Sequence, residues 1–244
     1  MKKIISLFTV ITILLSTTVF AQNIYSDLTD SDACYSHVMR LTDFGFISGY
    51  EDETFKPDNY VTRAETAKLA CVARNADGSF LDTDLSHIQS PYSDMEPNSH
   101  WAFQYVIEAT GMGVVSGYDD GTFRPENTVT YNEYIKIFVS LLGYSSYAEQ
   151  KGGYPLGYIE AAKDIKLTDG IEFYGDDIVT RDDAAIIMDR ALDVPLAVIN
   201  GYTRNENGEF VPEFIIMDGT GKNNTTLLTR FHNIYTVSGT IGEN

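Results

Sequence analysis

Positive charge is scarce in this chain. Its 244 residues hold 17 Lys and Arg against 35 Asp and Glu, a formal net charge of −18 at pH 7. A general nucleic-acid binder needs a basic footprint, and adhesion to an anionic membrane surface needs one too, so the composition argues against both. Histidine is sparse: His37, His87, His100 and His232 stand apart, and no pair has the spacing of a zinc site. The chain has no G-x-S-x-G, no P-loop and no G-x-G-x-x-G, so no cofactor or metal is expected. Carboxylates abound, so counting alone does not exclude a paired-acid glycosidase. Almost every acid, however, sits in a repeated cap or turn, which implies a scaffold more than one catalytic pair. Beyond residue 21 no apolar stretch is long enough to span a bilayer. The 43% hydrophobic and 21% charged fractions are those of a globular protein, and the length allows one or two domains or a few small repeats.

Residues 1–21 read as a secretion signal. Lys2 and Lys3 form a basic start, Ile4 to Phe20 is apolar apart from Ser and Thr, and Val19-Phe20-Ala21 offers a cleavage site before Gln22. An uncleaved anchor is the alternative. Loss of the two lysines lowers the charge from −18 to −20. The mature protein is expected outside the cell, held at the surface without a membrane span.

The chain repeats itself. Residues 45–65 read GFISGYEDETFKPDNYVTRAE and residues 113–133 read GVVSGYDDGTFRPENTVTYNE, an ungapped offset of 68. Tyr25-Ser26-Asp27 precedes the first block and Tyr92-Ser93-Asp94 the second. A decayed third copy spans residues 157–183; its Val179-Thr180 matches Val129-Thr130 at an offset of 50, and the GTF run is gone. Each copy predicts helix, loop, helix. In the second, a helix opens near His100-Trp101-Ala102, carries Phe103, Val106, Ile107 and Thr110, and ends at Gly111 and Gly113. Asp120-Gly121 marks a turn. Thr62, Thr130 and Thr180 each stand three residues before an acid. Glu65 and Glu133 complete capping boxes, with Asp183 a shorter variant, and all three acids are read as caps more than ligand contacts. One unit of roughly 50 residues buries too little to stand alone; three stacked units share a core.

The predicted divisions are a signal peptide (1–21), repeat 1 (22–74), a linker (75–91), repeat 2 (92–143), a linker (144–153), a degenerate repeat 3 (154–198) and a β-rich tail (199–244). Turns at Asp77-Gly78 and Thr83-Asp84 punctuate the first linker. In the tail, Glu209 to Met217 and Leu227 to Ile241 read as strands, with turns at Asp218-Gly219 and Lys222-Asn223-Asn224. Tyr235-Thr236-Val237 looks like the opening of a β-module of a longer protein.

The three units, with GY-[ED]-D-x-TF, a following Pro and V-T-R-A-E, resemble surface-layer homology (SLH) domains over about residues 24–197. The first two copies match closely; the third is recognisable mainly by VTRDD and position. The resemblance implies a mainly α fold: a pseudo-threefold spindle of three prongs around a central helical bundle. It also implies attachment of an exported protein to the bacterial cell wall, through inter-prong grooves that bind an acidic secondary cell-wall polysaccharide, often pyruvylated, with the TRAE motif at the grooves.

Charge arguments bear on that motif. Arg63 and Arg181 follow their cap threonines directly, in the first turn of a helix, where a cation costs a few tenths to about 1 kcal/mol. An arriving anion reverses the sign, because free N–H groups, the dipole and a guanidinium would converge on it. The plain alternative pairs each Arg with a nearby acid. The second copy reads VTYNE, with Tyr131 and Asn132 in place of Arg and Ala, so carboxylate binding there is doubtful and sugar stacking or a hydrogen bond is what Tyr131 offers. One or two working grooves are expected, with Arg63 the strongest candidate.

Trp101, the only tryptophan, reads either as buried packing or as a sugar-stacking platform; Tyr50 and Tyr118 in the GY turns carry the same two readings. Cys34 and Cys71 read first as two buried thiols and second as a helix–helix disulfide. The acidic turns Glu51-Asp52-Glu53 and Asp119-Asp120 lack an EF-hand pattern and read as solvated turns before calcium sites. The functional expectation is a non-catalytic cell-wall anchoring module. The alternatives are a structural surface-layer subunit that contacts other surface-layer proteins, or the anchoring part of a larger wall-active enzyme.

Overall fold

The computed structural model describes residues 24–74, 89–97, 99–218 and 225–234. The secretion signal, His87, the Asp77-Gly78 and Thr83-Asp84 turns and the Tyr235-Thr236-Val237 strand lie outside the described residues. The rest is mainly helical: α1 (Tyr35–Asp43), α2 (Arg63–Arg74), α3 (Phe103–Gly111), α4 (Tyr131–Leu141), α5 (Ser145–Gln150), α6 (Leu156–Asp164) and α7 (Arg181–Asp193) precede a hairpin of β1 (Ala197–Arg204) and β2 (Phe210–Ile216), and α8 (Leu227–Phe231) follows.

Helices α2, α4 and α7 start where Thr62, Thr130 and Thr180 predicted. The first two are capped as expected: Glu65 and Glu133 amides donate to the Thr62 and Thr130 hydroxyls, and each carboxylate accepts from its threonine amide at 2.9 and 3.0 Å. The third departs from expectation. Thr180 makes no side-chain cap, and Asp183 accepts from the Tyr131 hydroxyl instead.

Backbone hydrogen bonds tie the three helix starts into a cycle. Val61 N–H donates to Val179, Val179 to Val129 and Val129 to Val61, at 3.0–3.1 Å, and all three side chains are buried. The next turn outward repeats the cycle: Arg63 N–H donates to Asn127, Tyr131 to Asp177 and Arg181 to Asn59. Ala64, Asn132 and Asp182 amides then donate to Pro125, Gly175 and Pro57. Residues 157–193 thus take the third position of a pseudo-threefold arrangement.

The first helix of each unit packs on the second helix of the unit before it: α3 on α2, α6 on α4, and α1 on α7. The last contact closes the ring between the first and third units. A polar cluster fastens it, with His37 Nδ1 2.7 Å and Arg40 Nη1 3.1 Å from the Asp189 carboxylate, and Arg40 also 2.7 Å from Asp193. One hydrophobic core runs through all three units, with Tyr134, Phe138, Ile135, Ile187 and Met188 fully buried on the bundle helices.

The prongs are pinned by the Tyr-Ser-Asp signatures. Asp27 accepts from the Phe55 and Lys56 amides at 2.7 Å, and Asp94 from Phe123 and Arg124 at 2.7 Å. Tyr25 and Tyr92 hydroxyls pair with Thr42 and Thr110 at 2.8 Å, their rings pressed on Gly49 and Gly117. In the third unit the stretch from the helix-ending Lys166, the counterpart of Gly45 and Gly113, to Phe173 is three residues shorter than Gly45–Phe55.

Three further segments differ from expectation. The linker at 144–153 holds α5. Ala197–Arg204 is a strand where none is predicted; its register shifts between Ile199 and Gly201, which leaves a bulge at Asn200. Leu227–Phe231 is helical, because Leu227 and Leu228 are buried against the bundle, with His232 Nε2 2.8 Å from the Ala73 carbonyl oxygen. Among the described residues no helix is long and apolar enough to cross a membrane.

Candidate functional site

The cyclic backbone bonds decide what a helix start can offer a ligand. The amides of Arg63, Ala64, Arg181 and Asp182 all donate to the neighbouring prong. The expected convergence of free N–H groups on an anion is therefore absent at these positions, and the guanidinium groups carry the anion-binding capacity. Each is aimed by its Nε: Arg63 donates to the Phe123 carbonyl at 2.8 Å, Arg181 to the Phe55 carbonyl at 2.9 Å. Each also lies over two rings, Arg63 over Tyr118 and Phe123, Arg181 over Tyr50 and Phe55, with centroid distances of 4.5–4.9 Å. The acids expected as competing partners are at arm's length: Arg63 Nη1 is 3.8 Å from Glu133, and Arg181 Nη1 is 3.8 Å from Glu65.

Two clefts result, built from equivalent residues. The first, of about 270 Å³, gathers Arg181, Tyr50, Glu65, Lys68 and Trp101. The second, of about 260 Å³, gathers Arg63, Tyr118, Glu133, Lys136 and Tyr154. The walls come from all three units: a bundle helix start supplies Arg, the next unit's prong supplies Tyr, its bundle helix supplies Glu and Lys, and the start of a further helix supplies the outer aromatic. Trp101 is 57% exposed, against the buried-packing reading, and Tyr154 is 51% exposed. The two occupy equivalent places, each two residues before a helix start. Cleft chemistry combines a cation for a carboxylate, a carboxylate oxygen for a hydroxyl, and flat rings for a pyranose face.

The third inter-unit position differs. Tyr131 is buried, its ring stacked on Phe173 with centroids 4.5 Å apart and planes 13° apart, and its hydroxyl donates to Asp183. Burial, then the Asp183 contact, drives the Tyr131 phenol pKa upward. Burial also raises the Asp183 carboxyl above its usual range. Stacking on a sugar is closed to this ring, and the place of the guanidinium is filled.

Of the sequence-predicted residues, Arg181, Tyr50 and Trp101 meet in one cleft, Arg63 and Tyr118 in the other, and Tyr131 in neither. Lys68, Lys136 and Tyr154 were missed. The lysines lie at the repeat offset of 68, three residues after each cap Glu, and that periodicity was a usable signal. Tyr154 lies in the decayed copy, where the offset fails.

The acidic turns are internally engaged. Asp52 and Asp120 each accept from the amide and hydroxyl of the threonine two residues on. The Thr122 hydroxyl, then Arg124, holds the Asp120 carboxyl down at about 2. Cys34 and Cys71 are buried free thiols, with Cys71 donating to the Tyr105 carbonyl at 3.3 Å. Burial pushes their pKa values up to about 11 and about 12. Among the described residues no group of three or more His, Cys, Asp or Glu could hold a metal.

Two segments, residues 24–67 and 91–135, match the S-layer homology domain family; the third unit is not matched. The chain is 32% identical over 159 residues to the Middle cell wall protein of Brevibacillus brevis, covering 65% of this chain and 14% of that protein. It is 32% identical over 134 residues to the Surface layer protein of Brevibacillus choshinensis, covering 55% of this chain and 12% of that one. It is 30% identical over 118 residues to the Cellulosome-anchoring protein of Acetivibrio thermocellus, covering 46% of this chain and 24% of the relative. The chain thus spans a quarter or less of the length of these relatives.

Proposed function

We propose that this chain, which carries two S-layer homology domains, is a non-catalytic module that anchors an exported protein to the bacterial cell wall. The residues of the third unit act as a further, degenerate repeat that completes the ring. The ligand is an acidic secondary cell-wall polysaccharide, with a pyruvate ketal as its carboxylate, gripped in the Arg181 and Arg63 clefts. The observation that carries this reading is the pair of equivalent clefts, each with an aimed guanidinium beside an exposed aromatic wall, in a protein whose overall charge repels anions. Two clefts on one polymer supply avidity beyond a modest single-site affinity. The cell-wall and cellulosome-anchoring relatives support the anchoring role. A second reading, lateral assembly with other surface-layer proteins, draws on the hairpin, where Ile199, Tyr202 and Phe210 are 53–66% exposed.

The test is co-sedimentation of residues 22–244 with wall sacculi of the producing bacterium, before and after acid extraction of the wall polysaccharide. The whole tail is retained because α8 packs on the bundle. Binding should vanish on extraction and fall at least tenfold, about 1.4 kcal/mol, in the Arg63→Ala/Arg181→Ala protein. Binding to neither wall would sink the anchoring role and favour assembly. Binding that ignores both substitutions would move the site away from the arginines.

A further inference from the structure

The two clefts share a residue plan but differ in which of their groups are engaged. In the second cleft Arg63 donates twice to protein carbonyls: Nε to Phe123 at 2.8 Å and Nη2 to Ser116 at 2.7 Å. Its side chain is 10% exposed. In the first cleft Arg181 makes the equivalent Nε bond to Phe55, and among the described residues no carbonyl takes its Nη groups. Ser48, the counterpart of Ser116 at the offset of 68, lines that cleft without accepting from the guanidinium. A carboxylate approaching the Nη edge of Arg63 therefore meets a carbonyl oxygen already bound there, which repels it. At the same edge of Arg181 the Glu65 carboxylate stands 3.8 Å from Nη1, as Glu133 does from Arg63, but among the described residues no carbonyl is bound there, so Nη2 stays open to an anion oxygen.

The aromatic walls differ in the same direction. Lys136 Nζ lies over the Tyr154 ring at 5.2 Å, so a cation already covers one of its two stacking faces. Among the described residues no lysine lies over Trp101; Lys68 is directed to Tyr105 at 6.0 Å. The indole is also the larger ring. Cation and aromatic wall thus both favour the Arg181 cleft, on independent contacts.

We propose that the two clefts are unequal, with the Arg181–Trp101 cleft the primary site for the carboxylated sugar and the Arg63–Tyr154 cleft a weaker second site held down by the Ser116 carbonyl and Lys136. This inference rests on the polysaccharide reading above and reverses the expectation that Arg63 is the stronger candidate. The only tryptophan lies in the primary cleft, so its fluorescence reports that cleft alone.

The experiment titrates residues 22–244 with a methyl glycoside bearing a pyruvate ketal, a monovalent probe free of avidity. Indole emission is followed in the native protein and in a Trp101→Phe/Tyr154→Trp protein, which carries the reporter to the other cleft. The native indole should saturate at a probe concentration at least tenfold lower than the relocated one. In parallel, calorimetry should show the tighter phase lost in Arg181→Gln and changed less than twofold in Arg63→Gln. Equal or reversed midpoints overturn the inequality and leave the polysaccharide reading standing. Silence from both reporters, with calorimetry flat, overturns the polysaccharide reading and this inference with it.

Discussion

Replacing Gly117 with alanine tests how the prong turn is built. A Cβ at this position would lie 2.5 Å from Tyr92 Cε1 and 2.6 Å from the Thr122 carbonyl oxygen. Neither neighbour yields easily. The carbonyl accepts from the Tyr118 amide at 2.8 Å, and the Tyr92 ring is buried on Phe123 with its hydroxyl 2.8 Å from Thr110. Ordinary contact needs about 1 Å more, and overpacking of that kind costs about 1–3 kcal/mol. If Tyr92 swings away, its hydrogen bond adds about 1 kcal/mol. The lower entropy of an unfolded alanine chain returns about 0.5–1 kcal/mol. The net loss is about 2–3 kcal/mol, a fall in Tm of roughly 5–10 °C for a chain of this size. Gly121→Ala is the control: its φ is +77° but nothing lies within 4 Å, so only the left-handed strain of about 1 kcal/mol is expected. Urea unfolding followed by circular dichroism measures both. A Gly117→Ala loss below about 0.5 kcal/mol, or below that of Gly121→Ala, would refute the packing argument.

Ring closure offers a second contrast: Asp189→Ala leaves Arg40 and His37 facing a largely buried gap, whereas Asp193→Ala removes a carboxylate that is 47% exposed. The first should lose about 2–3 kcal/mol in urea unfolding and the second under about 1 kcal/mol, and equal losses would count against a fastened α1–α7 joint. Both thiols should resist Ellman's reagent at pH 8 in the native protein and react as two equivalents in guanidinium, whereas a disulfide would leave none to react. Burial depresses the His232 pKa below its ordinary 6.5, so the unfolded chain takes up a proton that the folded one resists. Stability should therefore fall as pH drops below about 6.5, and His232→Gln should fall less steeply than wild type over pH 7 to 5.

Elements with a strong local signal were legible in the sequence. The threonines before α2, α4 and α7 marked their starts within a residue, and the 68-residue offset pairs Tyr50 with Tyr118 and Glu65 with Glu133 across the two clefts. What escaped depended on partners distant in sequence. Leu227–Phe231 has β-branched and aromatic neighbours, yet burial against α2 and α7 makes it helical. Asp183 reads as a cap, but Tyr131, 52 residues away, takes its carboxylate. Trp101 sits on an apolar helix pattern, and only the packing of α3 on α2 of the first unit, with Arg181 of the third unit opposite, leaves it facing a cleft. The amides counted as free at Arg63 and Arg181 accept no ligand, because carbonyls 64 and 122 residues away occupy them. Periodicity reports what a helix offers; it does not report which neighbour has already used it.

That division of roles predicts the outcome of restoring the motif in the second copy. The backbone of each helix start holds the ring, which leaves the side chain after the cap threonine free to vary without breaking it. Tyr131→Arg therefore should fold. It should not create a third working cleft. The guanidinium would enter beside Asp183, a half-buried carboxylate whose pKa burial raises, and would pair with it at short range instead of facing outward. The prong that would supply an outer tyrosine is three residues shorter and has no Ser-Gly-Tyr run. Calorimetry with the pyruvate-ketal glycoside should return the wild-type stoichiometry, and the thermal midpoint should stay level or rise as the new ion pair replaces the lost stack. An added equivalent of bound probe would show that the residue after the cap threonine suffices to make a site, and that the prong turn and its tyrosine do not.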